Sequence, residues 1–166
     1  MGQRYLIALG SSQRHHRFGP PKRVLAAALT ALDKAGIKLK CVGPVISSAP
    51  LGPSLRHYAN SAAVVKSKLE PEDLLFELQA IERAFGRKRR GQRWGSRVLD
   101  LDIVLWSGGA WSSPGLTVPH PRFRERPFVL DPAAAIAPCW RDPLSGLSLR
   151  QLAVRLRRPR PLRIVG

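Results

Sequence analysis

Residues 98–106 read VLDLDIVLW: β-branched, leucine or aromatic throughout except at Asp100 and Asp102, the pattern of a β-strand. Side chains alternate along a strand, so Asp100 and Asp102 share one face while Leu101 enters the core. Working upstream, Glu70-Pro71-Glu72-Asp73 predicts a helix start, with proline suited to the first turn and acids to the positive helix end. Leu74, Leu75, Leu78, Ile81 and Phe85 then trace one apolar face, and Gly86 ends it. Residues 57–66 predict a strand, residues 48–54 a Pro/Gly loop, and residues 37–47 a strand broken at Gly43-Pro44. Pro20-Pro21 opens a first helix that stops at Gly36. Residues 4–9 form a first strand ended by Gly10, and residues 11–19, with His15, His16 and Arg17, form a loop. Downstream of Trp106, short pieces are joined by Pro and Gly, with a last helix near 148–156. The order β-α-β-β-α-β plus a C-terminal extension predicts an α+β fold of the ferredoxin-like type, one antiparallel-containing sheet with two helices on one face. The expected organisation is one domain over residues 1–166, with no internal repeat.

Composition narrows the class. An apolar share of 44% is that of a globular protein. No apolar run approaches the roughly 20 residues that span a bilayer. The N-terminal apolar run of about five residues is shorter than a secretory core of about 7–15. A cytoplasmic protein with no membrane partner is therefore expected. Cys41 and Cys139 are too few for a disulfide framework and lack metal-ligand spacing, so two reduced, partly buried thiols are expected. Charge is the outlying property: 28 Lys+Arg against 11 Asp+Glu leave +17. Such a field attracts anions without choosing among nucleotides, nucleic acid and acidic lipid. The tail residues Arg155, Arg157, Arg158, Arg160 and Arg163 read as a solvated face.

Two neighbouring features carry the chemistry. Paired carboxylates on one strand face suit Mg²⁺, a hard cation that keeps waters and bridges to phosphates. Immediately before them lies a basic loop with Arg87, Lys88, Arg89, Arg90, Arg93 and Arg97. Arginine forks grip phosphate oxygens through paired hydrogen bonds. Cations for phosphate beside carboxylates for magnesium are what phosphoryl transfer requires, since its catalysis is mostly positioning and charge neutralisation. There is no Gly-x-x-x-x-Gly-Lys-Ser/Thr loop, which excludes a P-loop enzyme, and the protein-kinase signatures are absent. A third, scattered set is Tyr58, Asn60, Trp94, His120 and Phe128. Aromatic faces and amides of this kind hold flat heterocycles, and Tyr58 and Asn60 share a strand face.

The segment Arg93-Trp94-Gly95-Ser96-Arg97-Val98-Leu99-Asp100-Leu101-Asp102-Ile103 resembles the signature of the 6-hydroxymethyl-7,8-dihydropterin pyrophosphokinases. Supporting matches run in order: Ala8-Leu9-Gly10-Ser11, Pro50-Leu51-Gly52-Pro53, Tyr58-x-Asn60, Gln79-x-x-Glu82, Leu116-Thr117-Val118-Pro119-His120 and Glu125-Arg126-x-Phe128-Val129-Leu130. The resemblance implies a ferredoxin-like fold and transfer of pyrophosphate from ATP to hydroxymethyl-dihydropterin. It implies that Asp100 and Asp102 hold two Mg²⁺ ions and, with Arg87 and Arg97, form the catalytic set. Gln79, Glu82, Arg89, Arg93, Ile103, Thr117, His120 and Arg126 would bind ATP. Ser48, Leu51, Tyr58, Asn60, Trp94 and Phe128 would bind the pterin, Tyr58 and Phe128 sandwiching its ring. The chain departs from the family pattern at Ser12, Ser48, Ala49, Ser96 and Gly115.

The rival from another class is a ferredoxin-like RNA-binding module, which shares the element order and would use the positive charge. Such modules stack bases on aromatics of a central strand, and the strands here lack that run. Nucleic acid is expected only as an incidental partner, and the protein is expected to be a monomer.

Overall fold

The computed structural model describes residues 2–48, 58–86 and 98–159. The elements are β1 (Gln3–Ser11), α1 (Pro21–Lys34), β2 (Lys38–Val42), β3 (Ile46–Ser48), β4 (Tyr58–Ser67), α2 (Pro71–Ala84) and β5 (Asp100–Trp106). They continue with β6 (Trp111–Ser113), β7 (Leu116–Val118), a 3-10 turn (Phe123–Glu125), α3 (Pro127–Ile136) and α4 (Leu149–Arg157). The main sheet is antiparallel in the order β2-β4-β1-β5, with β3 also paired to β4. The break expected at Gly43-Pro44 divides β2 from β3, and the two pair with different ends of β4. The hairpin β6-β7 forms a separate two-stranded sheet.

Both helices predicted in the first half begin with proline at the first turn, Pro21 and Pro71, where the missing N–H has no partner to lose. Glu72 and Asp73 add negative charge at the start of α2. Ile7, Leu9, Leu101 and Ile103 face Leu25, Leu32, Leu74 and Leu78 of these helices in one buried layer. The loop after β1 is anchored by His15, which is buried. Its Nδ1 accepts hydrogen bonds from the amides of Arg17 and Phe18, and its ring packs near Phe18 and Phe85. Burial, with the charges of His16 and Arg17, pushes its pKa down.

The second face of the sheet adds to the expected architecture. Two helices were expected on one face, with no face assigned to the C-terminal extension; α3 and α4 of that extension cover the other face, burying Leu130, Leu149 and Leu152 against Leu6, Ala62 and Leu105. The segment read as short pieces hides α3 because it contains Pro127 and Pro132. Pro127 occupies the first turn, but Pro132 lies in the helix interior, where it removes a hydrogen bond. Burial of Val129, Leu130, Pro132 and Ala133 offsets that loss, since tertiary packing supplies most helix stability. Gly43 permits the close approach: a Cβ there would lie 2.9 Å from the Pro132 carbonyl oxygen. The last helix falls at the expected place, and Ser148 and Gln151 form a reciprocal capping box at its start. Cys41 and Cys139 are both exposed, not partly buried as expected, Cys41 lying on the outer strand β2. No described helix is long and apolar enough to cross a membrane.

One buried ion pair joins the 3-10 turn to the loop before α4. Arg124 donates through Nε and Nη2 to Asp142 at 2.6 and 2.7 Å, and Ser145 Oγ and the Leu144 amide donate to the same carboxylate. Burial raises the Asp142 pKa, but those hydrogen bonds and the Arg124 charge outweigh it and hold the value to about 2. A depressed carboxylate contributes stability above its unfolded value, lost as pH falls through the folded one. Stability should therefore drop as pH falls from about 3.8 towards about 2. Asp142→Asn should cost about 3 kcal/mol at neutral pH, because Arg124 loses its charged partner. Urea unfolding of the two proteins at neutral and acid pH tests both expectations; the variant should show the shallower acid loss.

Candidate active site

The register of β1 with its two neighbours builds the centre of the site. Gly10 is opposite both Asn60 on β4 and Asp100 on β5. Two residues back, Ala8 is opposite both Ala62 and Asp102. Directly opposed residues of antiparallel strands point to one side. Asn60 and Asp100 thus flank a glycine, and Asp102 stands beside two alanines. The central strand has almost no side-chain volume here, which leaves a hollow on the α3 side of the sheet. Gly10 keeps the fit close: a Cβ there would stand 3.1 Å from Asn60 Oδ1, which would have to shift.

That hollow is part of a cavity of about 650 Å³. Asp100, Asp102, Tyr58, Asn60, Arg126 and Phe128 line it, together with Ala8–Ser12, Ile46, Pro127, Val129 and Asp131. Tyr58 and Phe128 are 40% and 42% exposed, so two aromatic side chains remain open to a ligand where most large apolar groups are covered. The Arg126 guanidinium lies 5.8 Å from the Phe128 ring centre, within cation–π range. Leu101 is buried while Asp100 and Asp102 are half-buried, as strand alternation required.

The outer edge of β5 is held by two residues from elsewhere. Buried Glu82 on α2 accepts the Leu101 amide through Oε2 at 3.0 Å, between the two aspartates. The His120 amide donates to the Val104 carbonyl at 3.0 Å. His120 Nδ1 accepts the Arg122 amide, so the proton of the neutral ring sits on Nε2. Burial lowers the His120 pKa, Asp102 opposes that, and Arg126 and Arg122 reinforce it. Gln79 is half-buried on α2, and Thr117 is exposed on β7; both elements pack against β5. Ile103, by contrast, sends its side chain into the core between the sheet and the helices α1 and α2.

The described residues expected at the site thus fall into two groups. Tyr58, Asn60, Phe128 and Arg126 share the cavity with the aspartates, while Gln79, Glu82, Thr117 and His120 belong to elements bordering the outer edge of β5. Leu51, Arg87, Arg89, Arg93, Trp94 and Arg97 lie outside the described residues, as do the basic loop and Arg160 and Arg163 of the tail. The backbone of Ser48 pairs with Tyr58. Sequence reading missed Asp131 and Val129 as cavity residues. The available signal was position: Asp131 follows Phe128 by one helical turn, and it became visible only once α3 existed.

Among the described residues, no group of three His, Cys, Asp or Glu side chains converges. Asp100 and Asp102 remain as a pair of hard oxygen donors on a cavity wall. Such a pair fits Mg²⁺, which takes one or two protein carboxylates and fills its shell with water and phosphate oxygen.

The architecture is that of a mixed α/β protein with an antiparallel sheet, shared with solved structures of Plasmodium falciparum HPPK-DHPS. The wild-type structure with pteroate covers 93% of this chain with a TM-score of 0.73 at 11% identity, and this chain spans 44% of it. The wild-type structure alone gives the same TM-score and identity, with 45% of that chain spanned. Residues 6–138 match the 7,8-dihydro-6-hydroxymethylpterin-pyrophosphokinase (HPPK) family, and the chain belongs to that family. The 2-amino-4-hydroxy-6-hydroxymethyldihydropteridine pyrophosphokinase of Synechocystis sp. is 42% identical over 135 residues, 81% of this chain and 69% of that protein. Its namesake from Pseudomonas aeruginosa is 41% identical over 145 residues, 86% of each chain.

The hydrogen bond from Leu101 to Glu82 has a local consequence. Glu82→Ala leaves a donor at the strand edge without its partner, at a cost of about 1–3 kcal/mol. Amide hydrogen exchange at Leu101 should accelerate in that variant and stay slow in Glu82→Gln, whose side-chain carbonyl still accepts.

Proposed function

We propose that this chain transfers the pyrophosphoryl group of ATP to the hydroxyl of 6-hydroxymethyl-7,8-dihydropterin, giving AMP and the pterin diphosphate in folate biosynthesis. The observation that carries this reading is the shared cavity: two carboxylates stand beside an open aromatic pair, an amide and an arginine. Family membership supplies the reaction. The strand order is consistent with a ferredoxin-like sandwich to which α3 and α4 add a second helical layer.

In this account Tyr58 and Phe128 hold the two faces of the pterin ring, and Asn60 reads its edge from the floor of the hollow. The backbone near Ser48 and Leu51, with Trp94, completes that pocket. ATP lies along the outer side of β5, against Gln79, Thr117, His120 and the backbone at Ile103. Nε2–H of His120 is a donor suited to a phosphate oxygen. Glu82 acts on the ATP side and also fixes the strand between the two aspartates. Arg87, Arg89, Arg93, Arg97 and Arg126 grip the phosphates and neutralise charge that develops in transfer.

Asp100 and Asp102 would hold Mg²⁺, two ions in the full assembly, which when bound supplies charge neutralisation at the triphosphate. Asp100 orients the pterin hydroxyl. Its oxygen bonds to the β-phosphorus, the bond from that phosphorus to the bridging oxygen of AMP breaks, and the hydroxyl proton is released. Clamping both substrates against β5 supplies the orientation on which the rate depends. The enzyme is taken to act as a monomer.

The deciding experiment combines the purified protein with ATP, Mg²⁺ and hydroxymethyl-dihydropterin and separates the nucleotides. AMP, with no ADP, is expected, and chelation of the metal should stop it. Asp102→Ala should reduce the rate at least about 10²–10³-fold with an unchanged melting temperature. An active Asp102→Ala protein would refute the metal assignment. Phe128→Ala should weaken pterin binding about 10-fold or more while ATP binding stays within roughly twofold. Equal losses for both ligands would place the clamp wrongly.

A further inference from the structure

Asp131 lies on the wall of the same cavity, and neither the family signature nor strand alternation singles it out. It follows Phe128 by three residues on α3, so the two side chains share a helical face. Its Oδ1 accepts Nη2 of Arg157 from α4 at 2.6 Å. Its Oδ2 has no hydrogen-bond partner among the described residues. The side chain is 30% exposed, open to the cavity yet restrained by the arginine. A carboxylate so held offers one fixed acceptor beside an aromatic clamp. Arg157 offsets its charge, which lessens repulsion towards Asp100, Asp102 and an incoming triphosphate.

The geometry points to Asp131 as a specificity-determining residue for the heterocycle, accepting through Oδ2 an N–H of the ring's 2-amino group, with Arg157 as its positioning residue. This rests on the pterin occupying the Tyr58–Phe128 cavity. A flat bicycle with an amino group and a ring N–H presents several donors on one edge, and the Asn60 side chain offers them only one carbonyl oxygen, so the edge needs further acceptors. A fixed acceptor also rejects rings that lack the donor, because its polar atom would then be buried without a partner. Asp131 thus selects among rings of one shape by their hydrogens.

The test measures dissociation constants by calorimetry in the presence of Mg²⁺ and a non-hydrolysable ATP analogue. The ligands are hydroxymethylpterin and its counterpart lacking the 2-amino group. Asp131→Ala should weaken the amino ligand about tenfold, the scale of one hydrogen bond to a charged group. The deamino ligand should lose less than roughly twofold, and the ATP analogue should bind both proteins alike. Arg157→Ala, which keeps the acceptor but frees it, should give a smaller loss confined to the amino ligand. Unchanged affinity in Asp131→Ala, or equal losses for both pterins, would overturn the assignment, the second outcome marking a purely structural role. Failure of the unaltered protein to bind either pterin would instead overturn the proposed function.

Discussion

Antiparallel pairing of β1 with both β4 and β5 is the constraint on which the site depends. It places Gly10 between Asn60 and Asp100, and Ala8 between Ala62 and Asp102. A slip of one residue on either side would send the carboxylates or the amide to the opposite face, because side chains alternate with period two. The register is well specified, since the alternate positions Leu9, Leu101 and Ala59 are buried in the layer under α1 and α2. Burial of one face thus fixes the chemistry on the other. The small residues of β1 then turn what would be packed core into a cavity.

Edge control is the second theme. Among the described elements β5 ends the sheet, and an end strand leaves N–H and C=O groups without ladder partners. Glu82 takes the Leu101 amide, and the Val104 carbonyl takes the His120 amide. These contacts brace the strand that carries both aspartates, and they come from the two segments that border the proposed nucleotide side. On the other side of the sheet, Arg124 and Asp142 fasten the 3-10 turn leading to Arg126 and Phe128. The site is therefore framed by two long-range tethers, each a carboxylate with the donors it satisfies.

The charge balance has a matching logic. The chain carries +17 overall, yet Asp100, Asp102 and Asp131 line a single cavity. A cationic field draws anions towards the molecule, and local carboxylates shape where a metal–phosphate complex can settle. Arg126 lines that cavity with the acids, and Arg157 engages one of them directly. Anion attraction and cation coordination are then separate tasks given to different residues at close range.

Local rules alone determined much of the protein. Strand alternation put Asp100 and Asp102 on one face and Tyr58 with Asn60 on another strand's common face. Prolines marked the starts of α1 and α2, and an acidic first turn that of α2, before any packing was known. The motif around Asp100 determined the family, because its residues are contiguous. Tertiary structure decided what local rules do not reach. Whether α3 forms despite Pro132 depends on the sheet it buries against. One partner of Glu82 is a backbone amide 19 residues away. Asp131 acquires its place only when α3 docks beside Tyr58 and α4 brings Arg157 across from 26 residues downstream. Periodicity is a property of neighbours along the chain, whereas a cavity is made by residues that only the fold brings together.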